Sequence, residues 1–286
     1  MRVGLLTCDK FPHLWDDDQL AATELRRRGH EVVPLSWTRA PTTTLDTFDV
    51  VVMRNPWDWF HHRDAFRRFI ATELTQTRAR VVNPQPMLAA FADKTYLAKL
   101  AAKNVAVVPT VELTRETLHR LPSVLTERNW KRAVLKPAFT ANAVGAQVFD
   151  AAECDAVLTR AAEVPLADGE VWLVQPFVPS IATGEYSFIF FGGVFSHAVH
   201  KRPKSGDWRV QHDYGGESSP FQPTRAQIDE ATALLAQAAP GSTYGRVDAV
   251  DWQGRLHVME LELVEPELFF RHEPAAAARF AEALLP

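Results

Sequence analysis

The spacing of the apolar runs changes along the chain, and that change limits what the chain can fold into. Over the first 80 or so residues, short β-rich runs alternate with amphipathic helical stretches, the mark of βαβ units and a parallel sheet. Val3 to Thr7, Glu31 to Leu35 and Phe48 to Met53 read as strands, and Pro34 pushes the second toward a sheet edge. Trp15 to Arg28 reads as a helix. Asp16, Asp17 and Asp18 stand in its first turn, Arg26, Arg27 and Arg28 in its last, and Gly29 follows, as the helix dipole and a left-handed stop favour. His62 to Leu74 reads as the next helix.

Beyond Asp93 the texture becomes α+β, with helices to about Lys103, from Arg115 to Glu127 and from Ala151 to Glu163. An extended Val105 to Pro109 and a strand Ala133 to Lys136 lie among them. Then strands crowd together: Glu170 to Val178, Glu185 to Phe191 and Val194 to His200, with Gly192-Gly193 as a hairpin turn, predict an antiparallel sheet. A helix from Arg225 to Ala238, a hairpin of Tyr244 to Asp251 with Arg255 to Leu263, and an Ala-rich helix end the chain. The expected units are an N-terminal α/β part (1–85), a central part (86–178) and a C-terminal part (179–286).

With 286 residues, 47% hydrophobic and 23% charged, the composition is that of a globular protein of one large or two to three small units. The net charge of −4 comes without a long block of one sign, so no nucleic-acid footprint is present. Cys8 and Cys154 cannot make a disulfide framework, and the ten histidines show no zinc spacing. No window approaches the length of a membrane span, and the apolar run between Arg2 and Asp9 is too short for a secretion signal. A cytoplasmic, membrane-free location is the expectation.

Chemistry concentrates in a few places. Asp248, Glu260 and Glu262 sit on strands that otherwise read as buried, and three hard oxygen ligands in one place suit Mg²⁺. If Trp252-Gln253-Gly254 is a three-residue loop, Asp248 lies diagonal to Glu260 on one face, with Glu262 beside it. A two-residue Gln-Gly turn would put Asp248 and Glu260 on opposite faces, and an exposed acidic face is the competing reading. Lys136-Pro137 ends a strand before a small-residue loop, Ala138 to Gly145, of the kind that lets backbone N–H groups approach phosphate. A solvated lysine is the alternative there, as it is for Lys94 at a helix start. Gln175-Pro176-Phe177-Val178 with Glu185 behind it makes an apolar turn able to hold a purine and its ribose. The stretch from His200 to Gly216, with Lys201, Arg209, Gly215 and Gly216, reads as a mobile cationic loop suited to clamp phosphate. Arg54, Trp57 and Asp58 follow a parallel strand at its carboxyl end, where open α/β sheets bind ligands. Packing tryptophans with an Arg54–Asp58 ion pair would explain that segment equally well.

In order along the chain, Asn83-Pro84, Asp93-Lys94 with Val105 to Thr110, Lys136-Pro137, Gln175 to Val178 and Gly184-Glu185 form one series. Trp208-Arg209 to Gly215-Gly216, Val247-Asp248 and Glu260-Leu-Glu262 continue it. Together they resemble the ATP-grasp superfamily, specifically its glutathione-synthetase-like ligases, over nearly the whole chain. The resemblance implies an ATP-grasp fold of α/β and α+β type, with an N-terminal parallel-sheet domain, a central lid subdomain and a C-terminal antiparallel-sheet subdomain. It implies ATP and Mg²⁺ as cofactors. Lys94, Lys136 and Lys201 would bind ATP, the backbone of Pro176, Phe177 and Val178 with Gln175 would hold adenine, and Glu185 would take the ribose. Asp248, Glu260 and Glu262 would hold metal, and Arg209 with Lys136 would act catalytically on the transferred phosphoryl group. Arg54, Trp57, Asp58, Gly215 and Gly216 would face the substrate. Glu260-Leu-Glu262 departs from the family's usual Glu-x-Asn, and Gln211 replaces its usual Asn. Glu260-Leu-Glu-Leu-Val-Glu-Pro with the Arg54 to Trp59 segment resembles the branch that includes the O-ureido-serine cyclo-ligase of cycloserine formation. The implied reaction joins a carboxylate to an amine through an acyl phosphate on a small amino-acid-like partner, with self-assembly into a homo-oligomer left open. The alternatives are a non-catalytic ATP-binding regulator and a phosphotransferase of the same fold.

Overall fold

The computed structural model describes residues 1–164 and 166–285. Its first sheet contains β1 (Arg2–Thr7), β2 (Glu31–Ser36), β3 (Val50–Asn55) and β4 (Arg80–Val82), all parallel, in the order β2-β1-β3-β4. Pro34 lies on the edge strand β2, where a missing N–H leaves a ladder least disturbed. The helix Asp16–Arg27 ends as its charges and glycine require: Gly29 has φ 86° and its N–H reaches the Arg26 carbonyl at 2.9 Å. Its apolar face shares one core with the C-terminal helix Ala276–Leu284, through Ala22, Leu25, Phe280 and Leu284. The two ends of the chain are thereby joined.

The second sheet contains β5 (Val111–Leu113), β6 (Arg132–Pro137), β7 (Gln147–Asp150) and β8 (Trp172–Pro176), antiparallel, in the order β5-β8-β6-β7. β5 and β7 escape a sequence reading because three or four residues are too few to display a period. The third sheet contains β9 (Glu185–Phe191), β10 (Val194–Arg202), β11 (Glu217–Phe221), β12 (Tyr244–Trp252) and β13 (Arg255–Glu262). Its order is β11-β10-β9-β12-β13, with all pairs antiparallel. The extended stretch before β5 runs along the edge of this sheet, where Val108 N–H donates to Val258 O at 3.0 Å and Val258 N–H donates to Ala106 O at 2.8 Å. Cys8 and Cys154 are buried in different cores, as free thiols.

One buried histidine makes the packing pH-dependent. His197 on β10 meets the Leu268 carbonyl with Nε2 at 3.0 Å and the Ser196 hydroxyl with Nδ1 at 3.0 Å. Burial pushes its pKa down to about 4, against the opposing pull of the Leu268 carbonyl. The unfolded chain, whose histidine titrates near 6.5, therefore binds a proton that the folded chain refuses. Stability carried by neutral His197 is present above pH 6.5 and falls by about 3 kcal/mol on acidification to pH 4. Urea unfolding between these limits should show a shallower pH dependence for His197→Gln than for the wild type. Equal slopes would remove His197 from the account.

Candidate active site

One face of the third sheet is a polar floor, assembled by register. Side chains directly opposite in an antiparallel pair share a face, and the pairs are Lys201 with Glu185, Ser187 with Asp248, Asp248 with Glu260, and Arg246 with Glu262. Intervening residues such as Phe188, Val247, Ala249 and Leu261 turn into the core beneath. The hairpin differs from the loop expected from sequence: Gln253 and Gly254, at φ 55° and 80°, form a two-residue turn with Trp252 opposite Arg255. That turn alone would separate Asp248 from Glu260. The register slips by one residue between Asp248 and Ala249, so Ala249 faces Val258, Asp248 faces Glu260, and Met259 is the extra residue of a bulge. The bulge puts the two carboxylates directly opposite each other.

Each acid on this floor has a cation. Lys201 pairs with Glu185 and, at 2.9 Å, with Asp248. Arg246 makes two bonds of 2.9 Å to Asp248 and one ion pair of 2.6 Å to Glu262, while the Ser187 hydroxyl also donates to Asp248. Lys94 pairs with Glu260 at 2.8 Å and donates to the Thr140 carbonyl. Burial alone would raise the Asp248 carboxyl, but Arg246, Lys201 and these hydrogen bonds hold it well below the usual carboxylate range. For Glu262, burial together with Glu260, Asp248 and Glu265 outweighs Arg246 and pushes the carboxyl up to about 8. Among the described residues, no three acidic, histidine or cysteine side chains converge into a metal-holding group. The expectation that Asp248, Glu260 and Glu262 meet one another is corrected in that respect: buried acids need partners, and Lys94, Lys201 and Arg246 lie within reach. The donor set still fits a hard divalent cation, because Glu260 and Glu262 keep 28% and 23% of their side chains exposed and Glu262 sits in surplus negative charge.

Above the floor opens a cavity of about 1370 Å³. Every candidate residue lines it except one: Lys94, Lys136, Gln175, Pro176, Phe177, Val178, Glu185, Lys201, Arg209, Gly215, Gly216, Asp248, Glu260, Glu262, Trp57 and Asp58 do, and Arg54 does not. Lys136 makes no ion pair among the described residues; burial, with the charge of Lys94, lowers its pKa against the pull of Glu260. Gln175 donates to the Thr110 hydroxyl at 2.9 Å, and the Phe177 ring lies 4.3 Å beneath the Arg132 guanidinium. Phe177 N–H is bonded to the Arg132 carbonyl. On the opposite wall Arg209 is bonded by Nε and Nη2 to Asp207, at 3.0 and 2.7 Å, and rests 3.7 Å over the Tyr214 ring. Gly216 must be glycine, since a Cβ there would stand 2.2 Å from the Val210 carbonyl oxygen. Asn142 donates to Asp213 at 2.5 Å, joining the small-residue loop to the cationic loop.

Arg54 is fully buried, with Nε donating to Asp18 at 2.6 Å and Nη2 to the Pro266 carbonyl at 2.8 Å. It therefore faces neither the cavity nor Asp58, whose carboxylate instead accepts from the Trp37 indole at 2.7 Å. Two residues were missed by sequence reading. Arg246 stands two positions before Asp248, so strand period alone could have found it. Glu265 lines the cavity from the irregular segment after β13, where no period operates.

Residues 3–83 match the family model described as D-cycloserine synthetase DcsG, N-terminal domain. Over 258 residues, 85% of this chain and 84% of the relative, the sequence is 31% identical to the cycloserine biosynthesis protein DcsG of Streptomyces lavendulae. The crystal structure of D-cycloserine synthetase DcsG superposes with a TM-score of 0.87 at 28% identity, covering 99% of this chain and 98% of that one. The RimK domain ATP-grasp protein of Sphaerobacter thermophilus DSM 20745 shares the fold, with a TM-score of 0.71 at 17% identity over 100% of both chains. Among the described residues no helix is long and apolar enough to cross a membrane. The chain belongs to the family of the cycloserine biosynthesis protein DcsG and has the ATP-grasp fold.

Proposed function

We propose that the enzyme joins the carboxylate and a nitrogen of one small amino-acid-like molecule, closing a ring through an acyl phosphate. The observation that carries this reading is the cationic end of the cavity, where Lys136, without an ion pair among the described residues, stands near Lys94 above the carboxylate floor. A half-buried ammonium with no ion pair among the described residues calls for an anion, and a polyphosphate supplies one. Lys94 and Lys136 bind the phosphates, the turn from Gln175 to Val178 holds adenine, and Glu185 with Lys201 meets the ribose side. Because Phe177 N–H is already bonded, Val178 N–H is the donor this turn offers. Mg²⁺, held by Asp248, Glu260 and Glu262, supplies positive charge to the phosphate oxygens when bound. Arg209 reaches the transferred phosphoryl group by exchanging Asp207 for it, as the loop with Gly215 and Gly216 closes and excludes water. Trp57 and Asp58 take the substrate side. Residues 1–85, 86–178 and 179–286 then act as substrate wall, lid and metal-bearing part.

The test is ADP release with Mg²⁺ across small amino acids, amino-acid pairs and O-ureido-serine, with mass spectrometry of the product. One compound acting alone should raise ADP release and yield a ring-closed product lacking at least the elements of water. A requirement for two compounds would overturn ring closure, and stimulation by none would overturn the substrate class.

A further inference from the structure

Six of the acids that line the cavity are neutralised by cations. Glu185, Asp248, Glu260 and Glu262 pair with lysine or arginine, and Asp17 and Glu267 pair with Arg271. Glu265, like Asp58, is held by an indole instead, and Glu265 is held through its backbone as well. It makes no ion pair among the described residues, and its Oε1 accepts from the Trp59 indole at 2.5 Å. The Trp57 indole holds its backbone carbonyl at 3.0 Å, and Arg54 holds the carbonyl of the next residue, Pro266, at 2.8 Å. Trp59 is itself fixed, stacked on Phe66 at 5.2 Å and edge-on to Phe139 at 4.7 Å. An indole N–H orients a carboxylate without cancelling its charge. The segment from Arg54 to Trp59 is thus a clamp that aims one un-neutralised carboxylate into the cavity, on the side where Trp57 and Asp58 stand.

We infer that Glu265 receives the attacking nitrogen, accepting its N–H and then its proton as the C–N bond forms. This rests on the ligase reading proposed above. In the step, the nitrogen lone pair attacks the acyl phosphate carbonyl carbon and phosphate leaves with the electron pair of the C–O bond. The nitrogen's proton passes to Glu265. Burial favours the protonated Glu265, while the Trp59 bond and Lys94 favour the anion, so the carboxyl stands raised from its usual range. A chemical contrast also supports the assignment: Lys94, Lys136, Lys201 and Arg246 present only donors, and a nitrogen nucleophile needs an acceptor.

The full-length enzyme with Mg²⁺ and ATP would be given O-ureido-serine, with and without excess hydroxylamine, which traps an acyl phosphate as its hydroxamate. Glu265→Gln keeps the size and the Trp59 contact. It is expected to form hydroxamate within about threefold of the wild-type rate, while ring-closed product falls about 100-fold or more. Equal losses in both readouts, or an unchanged product rate, would overturn the inference. If the glutamine variant fails to fold by thermal melting, Glu265→Asp decides: an unchanged ratio of product to hydroxamate overturns it, and a lowered ratio supports it. A wild-type enzyme that makes neither hydroxamate nor product would overturn the ligase reading itself, and this inference with it.

Discussion

Glu260→Gln is expected to lower turnover about 10³-fold while leaving the melting temperature within a few degrees of the wild-type value. The side chain opens to the cavity, and its ion-pair partner Lys94 retains the Thr140 carbonyl, so the fold loses little. Glutamine keeps the shape and removes the charge that the proposed metal and the lysine share. Asp248 offers no such separation. It lies beneath Arg246, Lys201 and Ser187, and neutralising it leaves buried cations under-compensated, which confounds any activity loss with destabilisation. Steady-state ADP release at saturating Mg²⁺, read beside a thermal melt, checks the prediction. Full activity in the glutamine variant would remove Glu260 from the metal set.

Arg54→Ala is expected to destabilise the protein by about 3–5 kcal/mol. The guanidinium and the Asp18 carboxylate are each 1% exposed, so truncation strands a buried anion. It also frees the Pro266 carbonyl and removes a cation from the Tyr244 and Phe280 rings, at 5.4 and 5.7 Å. Urea unfolding measures the loss directly. A variant that keeps its stability but fails to turn over would return Arg54 to the substrate site, where its position after a parallel strand had suggested it.

That reversal shows where local reading stops. The residues from Arg54 to Trp59 were recognisable as a ligand-side segment, because strand ends in an open α/β sheet stand at the binding crevice. Which of their side chains turn inward depends on Asp18, Pro266 and Glu265, all distant in sequence. The carboxylates on β12 and β13 were legible as a pair of acidic apolar strands, yet their facing depends on a bulge at Met259. That methionine looks like any other strand residue, and the slip is decided by the whole ladder.

By itself, then, the sequence determined the alternation of strands and helices, the capped helix Asp16–Arg27 and that Lys94, Lys136, Lys201, Glu185, Asp248, Glu260 and Glu262 belong to one cavity. Each of these follows from local period, backbone preference and residue type. The tertiary structure decided which cation each paired acid holds, that Arg54 is structural and that Glu265 is clamped by the Trp57 and Trp59 indoles. Pairing of buried charges is settled by distance across chain segments far apart in sequence, and no local pattern encodes that distance.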